Sequence, residues 1–233
     1  MFKRKPLCSN TTFLVILCLI ITSIVLFPTL QNDWVNWDDG EYVKDNLLIK
    51  ELSFKSIQTA FETDHILGAY IPMVLVSWMI DYAIWGTNAY GYHLSNLLIH
   101  LSIIVLVFYL VNKMTNKTRM AFIVAILFAV HPMRVEAVAW ITARKDLLYT
   151  FFFMLGLITY HKYNFSQFVK QKIIFFLLCL IFFSCSLFSK GTAVIFPFIL
   201  ILFDYLWKRN NYKRIVLEKV PFLIIAVFFT ILA

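Results

Sequence analysis

The chain has 233 residues, of which 61% are hydrophobic and 15% charged, against roughly half and a quarter in soluble domains. So short a chain cannot enclose that much apolar side chain in a core of its own, which excludes a water-soluble globular domain. The net charge of +8 would point to nucleic acid in a soluble protein. Here the basic residues stand in short clusters between apolar runs, the pattern of loops at an anionic membrane face, so the expected partner is the lipid bilayer and not nucleic acid.

Lys3-Arg4-Lys5 precedes an apolar run from Thr12 to Leu30. The run is longer than a signal core and no small-x-small cleavage site closes it, so it reads as a retained first span. Further spans of mostly apolar residues are expected at 90–112, 119–133, 146–161, 173–189, 192–207 and 220–233, after the first at 12–30. Pro221 is expected in the first turn of the last one. That stretch is short, so the chain reads as the N-terminal portion of a longer membrane domain. The cysteines Cys8, Cys18, Cys179 and Cys185 form no CxxC pair and support neither a disulfide nor a metal site.

With the N-terminus in the cytoplasm and the sides alternating, the inner segments hold 14 basic residues and only two acids, Asp204 and Glu218. The positive-inside preference is met at every loop. The N-x-S/T matches at Asn10, Asn116 and Asn164 fall on that inner side and carry no glycosylation signal. The expected fold is an all-α, polytopic transmembrane bundle with a long outer loop, residues 31–89. Within that loop, residues 70–86 are apolar but carry Asp81, which would be costly at mid-bilayer. They read as an interfacial or re-entrant helix with Trp78, Tyr82 and Trp85 at headgroup level, and Leu52 to Phe61 as a second surface helix.

Two carboxylates, Asp38 and Asp39, follow Trp34 and Trp37 just beyond the first span. Such a pair suits a catalytic base at the membrane surface, because each neighbour raises the other's pKa toward a useful range. The alternative is a solvated acidic loop. In the second span His93, Asn96 and His100 share one helix face. The two imidazoles lie about 10 Å apart at 1.5 Å per residue, too far to hold one metal ion. Polar links between helices are the competing reading, and His93 is the better site candidate because it is nearer the outer surface.

The stretch His131 to Asp146 is the richest. On one short helix opened by Pro132, Glu136, Trp140 and Arg144 would follow at i, i+4 and i+8, with Arg144 over the Trp140 ring. Arg144 and Lys145 put cations on the disfavoured outer face, as does Lys190, and the three together suit a phosphate or diphosphate group. A plain ion-pair network with Glu136 and Asp146 is the alternative. No Gly-rich nucleotide loop, HExxH or GxSxG pattern is present.

These motifs, W-x-x-W-D-D-x-x-Y-V (Trp34 to Val43), Y-x-P (Tyr70 to Pro72), Y-H-x-x-N-x-x-x-H (Tyr92 to His100), H-P-x-x-x-E-A-V-A-W-I-x-x-R-K-D (His131 to Asp146) and Ser189-Lys190, occur in an order that resembles the transmembrane and tetratricopeptide-repeat-containing O-mannosyltransferases and their bacterial relatives, of the GT-C class. The resemblance covers most of residues 31–197. It implies a membrane glycosyltransferase that moves a sugar, mannose in this family, from a polyprenyl-phosphate donor to a protein or glycan hydroxyl on the non-cytoplasmic face, by single displacement with inversion. It casts Asp38 or Asp39 as base, Arg144, Lys145 and Lys190 as donor-phosphate contacts, and His93, His131, Arg134, Glu136 and Trp140 as pocket-lining. Some relatives use a divalent metal, but no convincing ligand set is visible, and no cofactor is assigned. A bacterial inner membrane is the expected location rather than the endoplasmic reticulum. Two departures stand out: the family reads S-K-E where this chain has Gly191 third, and no 34-residue repeat follows. These keep a non-catalytic scaffold binding a glycolipid or partner helices as an alternative, with a transporter behind it.

Overall fold

The computed structural model describes residues 7–62 and 68–232. Lys3-Arg4-Lys5, part of the case for a cytoplasmic N-terminus, lies outside them. The described residues form helices and no strand: α1 (Leu7–Leu26), α2 (Phe54–Glu62), α3 (Pro72–Trp85), α4 (Ala89–Thr115), α5 (Thr118–Ala129), α6 (Val135–Ala139), α7 (Arg144–Phe165), α8 (Val169–Leu187), α9 (Phe196–Leu206) and α10 (Tyr212–Leu232). The all-α membrane bundle read from hydropathy is the architecture observed.

Three stretches, Asn10–Gln31, Ala89–Thr115 and Val169–Leu187, are long and apolar enough to cross a bilayer. A fourth arises if Thr118–Ala129 and Pro132–Ala139 count as one span broken by a 60° bend. Pro132 supplies no N–H and disfavours helical geometry at His131, which separates the two pieces. α4 is the central post. Asn88 caps its start by accepting from the Tyr90 N–H at 3.1 Å, and Asn116 ends it in a left-handed turn with φ 54°. Hydroxyls inside the apolar helices bond their own backbone, as Thr22 does to the Cys18 carbonyl at 2.7 Å.

Three apolar clusters fill the bundle. One joins α7, α8, α9 and α10 around Phe183, Phe196 and Phe222. Gly156 lets the Phe196 ring lie against α7, since a Cβ there would meet the ring at 2.8 Å. A second joins α1, α4 and α5. The third packs the outer loop onto the bundle through Tyr42, Ile49, Val74, Trp78, Tyr92 and Ile141.

Two expectations are corrected. Trp78 is fully buried in that third cluster and not at headgroup level, because α3 lies against α4 with Asp81 turned inward. Pro221 sits inside α10 and not in its first turn. The helix starts instead at Tyr212, which brings Glu218 and Lys219 to the α9 end through bonds described below.

Candidate active site

The segment after the first span is pinned at both ends. Trp34 donates its indole N–H to the Thr87 carbonyl at 3.2 Å and packs edge-on against Tyr92. Asp39 is completely buried. One of its carboxylate oxygens accepts from the Val35 N–H at 3.0 Å, the other from the Thr142 N–H at 3.2 Å and hydroxyl at 3.0 Å. It is a clamp joining residues 103 positions apart. Asp38 is half-buried, and its carboxylate has no hydrogen bond among the described residues. Of the two aspartates, Asp39 is engaged by three donors and Asp38 by none among the described residues.

The 131–146 stretch does not form a single helix. α6 stops at Ala139, Trp140 is extended (φ −97°, ψ 122°), a 3-10 turn covers Ile141–Ala143, and α7 begins at Arg144. The expected stacking of Arg144 on Trp140 is therefore lost. Lys145 takes that place, its ammonium 5.9 Å from the Trp140 ring and 5.8 Å from the Tyr42 ring. Trp37 leans on Trp140 from the other side at 6.3 Å.

Arg144 points inward and is buried. Its Nε donates to the Asn96 side-chain oxygen at 2.7 Å, one terminal nitrogen to the Tyr92 carbonyl at 2.8 Å, and the other forms an ion pair with Asp81. Asp81 in turn accepts from the Ser95 hydroxyl at 2.7 Å. Asn96 also donates to the Trp140 carbonyl at 3.2 Å. With its three donor nitrogens engaged and its side chain enclosed, Arg144 has no face left for a phosphate; it ties α3, α4 and α7 together. Sequence reasoning saw Asp81 only as a cost. A lone carboxylate in an apolar run requires a cation partner, and that signal could have found Arg144.

Lys190 forms an ion pair with Asp146 at 2.5 Å, both partly exposed. Lys145 has no carboxylate partner among the described residues, so it is the unneutralised cation of the cluster. Lys145 lies over the Tyr42 ring, and the Tyr42 hydroxyl is pushed up by burial and then by the negative charges of Asp38 and Glu41. His93 is fully buried, with the Asp33 backbone as a polar partner, and the Trp140 indole N–H is buried and unpartnered. His100 bonds the Ala129 carbonyl at 3.0 Å, a helix-to-helix link.

The other expected residues stand apart. His131 is exposed and accepts from the Met133 N–H at 3.2 Å, capping the short turn. Arg134 lies 4.6 Å over the Phe128 ring. Glu136 is exposed and forms no ion pair among the described residues, so the alternative reading of an ion-pair network holds only for Asp146, which pairs with Lys190. Among the described residues, no three His, Cys, Asp or Glu side chains gather closely enough to hold a metal ion.

A helical bundle with three stretches, or four with the bent pair, long and apolar enough to cross a bilayer defines a multi-pass membrane protein. The family model of the dolichyl-phosphate-mannose-protein mannosyltransferases matches residues 64–233, well over half of the chain, and the chain belongs to that family. It is 28% identical over 154 residues to the protein O-mannosyl-transferase TMTC1 of Homo sapiens, covering 63% of this chain and 17% of the relative. A protein O-mannosyl-transferase of Caenorhabditis elegans is 32% identical over 160 residues, covering 62% and 23% respectively. The chain thus spans less than a quarter of the length of these relatives. No solved structure matches it significantly.

Proposed function

We propose that the protein is a mannosyl-type glycosyltransferase using a polyprenyl-phosphate sugar as donor and a protein or glycan hydroxyl as acceptor. The work is done on the non-cytoplasmic face, the N-terminus is cytoplasmic, and the membrane is crossed at the seven stretches read from hydropathy. The observation that carries this reading is the Lys145 ammonium, without a carboxylate partner among the described residues, over the rings of Trp140 and of Tyr42, the tyrosine on which the charge of Asp38 acts, in a chain of this family. Asp38 takes the proton of the acceptor hydroxyl as its oxygen bonds to the anomeric carbon. The bond to the lipid phosphate breaks, the phosphate leaves with the electron pair, and configuration inverts. Lys145, with Lys190 beside it through Asp146, offsets the charge that grows on the leaving group.

The buried, unpartnered indole nitrogen of Trp140 supports a ligand here, since such groups are rare in native structures unless something meets them. In this scheme Asp39 and Arg144 are positioning residues: Asp39 holds the Asp38 segment to Thr142, and Arg144 holds the start of α7. The test is transfer from a polyprenyl-phosphate mannose to a peptide acceptor in membranes holding the protein. Asp38→Asn is expected to abolish transfer while leaving membrane insertion intact. Wild-type transfer by that variant would remove the proposed base.

A further inference from the structure

At the opposite end of α7 the structure holds two adjoining hollows that the reaction does not use. Tyr163 lies 19 residues after Arg144, roughly 28 Å along the helix, which is about the thickness of a hydrocarbon core. These hollows therefore open at the other headgroup layer. The first, about 300 Å³, is lined by Tyr163, Asn164, Lys172, Arg209 and Arg214 and also by the Phe165 and Trp207 rings. The second, about 550 Å³, is an apolar groove between α8 and α10, lined by Ile173, Phe176, Leu177, Leu217 and Pro221. Tyr163, Lys172 and Arg214 line both, so the first hollow is a mouth that runs directly into the groove.

The charges at the mouth do not balance. Lys172, Arg209 and Arg214 line the hollows against one lining carboxylate, Glu218, while Asp204 and Lys219 form a buried pair that lines neither. Those two carboxylates are already saturated. Asp204 accepts from Tyr160, Arg209 and Lys219, and Glu218 from Tyr163, Arg209 and Arg214. Lys172 forms no ion pair among the described residues, and the Asn164 amide nitrogen is buried without an acceptor. Donors without acceptors and a surplus of cations call for an anion with several oxygens. An apolar slot continuing from that anion site calls for a hydrocarbon chain attached to it. Ile173, Leu177 and Leu217 are exposed along the groove, so its open side faces lipid.

We propose that this is a binding site for an anionic glycerophospholipid of the leaflet opposite the transfer site, its headgroup phosphate in the mouth and an acyl chain in the groove. Basic pockets between membrane helices hold such headgroups by this combination of charge and apolar contact. Bound there, the lipid would bridge α8 to α10 and supply the missing negative charge.

The test is native mass spectrometry of the detergent-solubilised protein titrated with phosphatidylglycerol or phosphatidylcholine. Phosphatidylglycerol is expected to remain bound and phosphatidylcholine to dissociate. Lys172→Gln with Arg214→Gln should weaken phosphatidylglycerol binding about tenfold or more, as loss of charge-assisted contacts does. Leu177→Trp, which fills the groove and leaves every charge in place, should weaken it as well, so the site is tested even if the first variant misfolds. Equal retention of the two lipids, unchanged binding in both variants, or displacement by millimolar inorganic phosphate would overturn the proposal, the last by showing that an ion alone occupies the mouth.

Discussion

Where α7 finishes and α9 turns toward α10, both carboxylates are surrounded by donors, and the imbalance is one of sign: more cations than anions. Where α7 begins, the imbalance is one of pairing. Arg144 and Asp81 are matched deep inside, while Asp38, Lys145 and Glu136 have no oppositely charged partner among the described residues. Half-buried or exposed charges of this kind are not a stability device, since even when paired they contribute only about 0–1 kcal/mol. Surplus charge of one sign attracts and holds a counter-ion. An unpaired base and an unpaired cation can move a proton and receive a leaving anion, which is why the reaction is assigned to the first end of α7 and lipid anchorage to the last.

The sharpest way to break this contrast is Asp38→Asn. Removing a general base lowers rates by about 10²–10⁴-fold, and since the Asp38 carboxylate has no hydrogen bond among the described residues, the melting temperature in detergent should hold. A variant that loses stability in proportion to activity would make Asp38 another clamp. Asp81→Asn tests the matched pair. It leaves Arg144 buried and unneutralised, and a loss of about 3–5 kcal/mol of stability is expected, read from denaturation in detergent. Combining Asp81→Leu with Arg144→Met should recover much of that loss; no recovery would mean that the pair does more than cancel its own charge.

Lys145→Gln carries a smaller effect. It should weaken donor use about tenfold, seen in the donor concentration at half-maximal rate, with no change in folding because no carboxylate depends on it.

At the other end the prediction concerns acid. Burial would raise the Glu218 carboxyl, but hydrogen bonds from Arg209, Tyr163 and Arg214 outweigh it and hold the group below its ordinary 4.5. Glu218 therefore binds fewer protons folded than unfolded. Its stabilising contribution is full above about pH 4.5 and disappears as the pH falls through the lower folded value. Melting temperatures between pH 7 and pH 3 should fall less in Glu218→Gln than in the parent over that acid range. The smallest effect expected is that of Gly191→Glu, which restores the family's third motif residue. A Cβ there meets only the Phe229 ring at 3.6 Å, ordinary contact at an exposed position, so stability should be unchanged within about 0.5 kcal/mol.

The motifs of the site were legible as residue types, and the family with them, but their division of labour was not. Asp38 and Asp39 are neighbours with the same side chain, and nothing local says that one is saturated by Val35 and Thr142 while the other is free. Arg144 and Lys145 present the same difficulty: the break at Trp140 turns the first inward to a carboxylate 63 positions away and leaves the second on the aromatic surface.

The amino-acid sequence by itself determined that this is an all-α membrane protein of a mannosyltransferase family, because hydropathy and motif order are properties of contiguous stretches. Only the tertiary structure decided which charges are neutralised, because each partner is contributed by a different helix and electrostatic pairing acts over a few ångströms of space, whatever the separation along the chain.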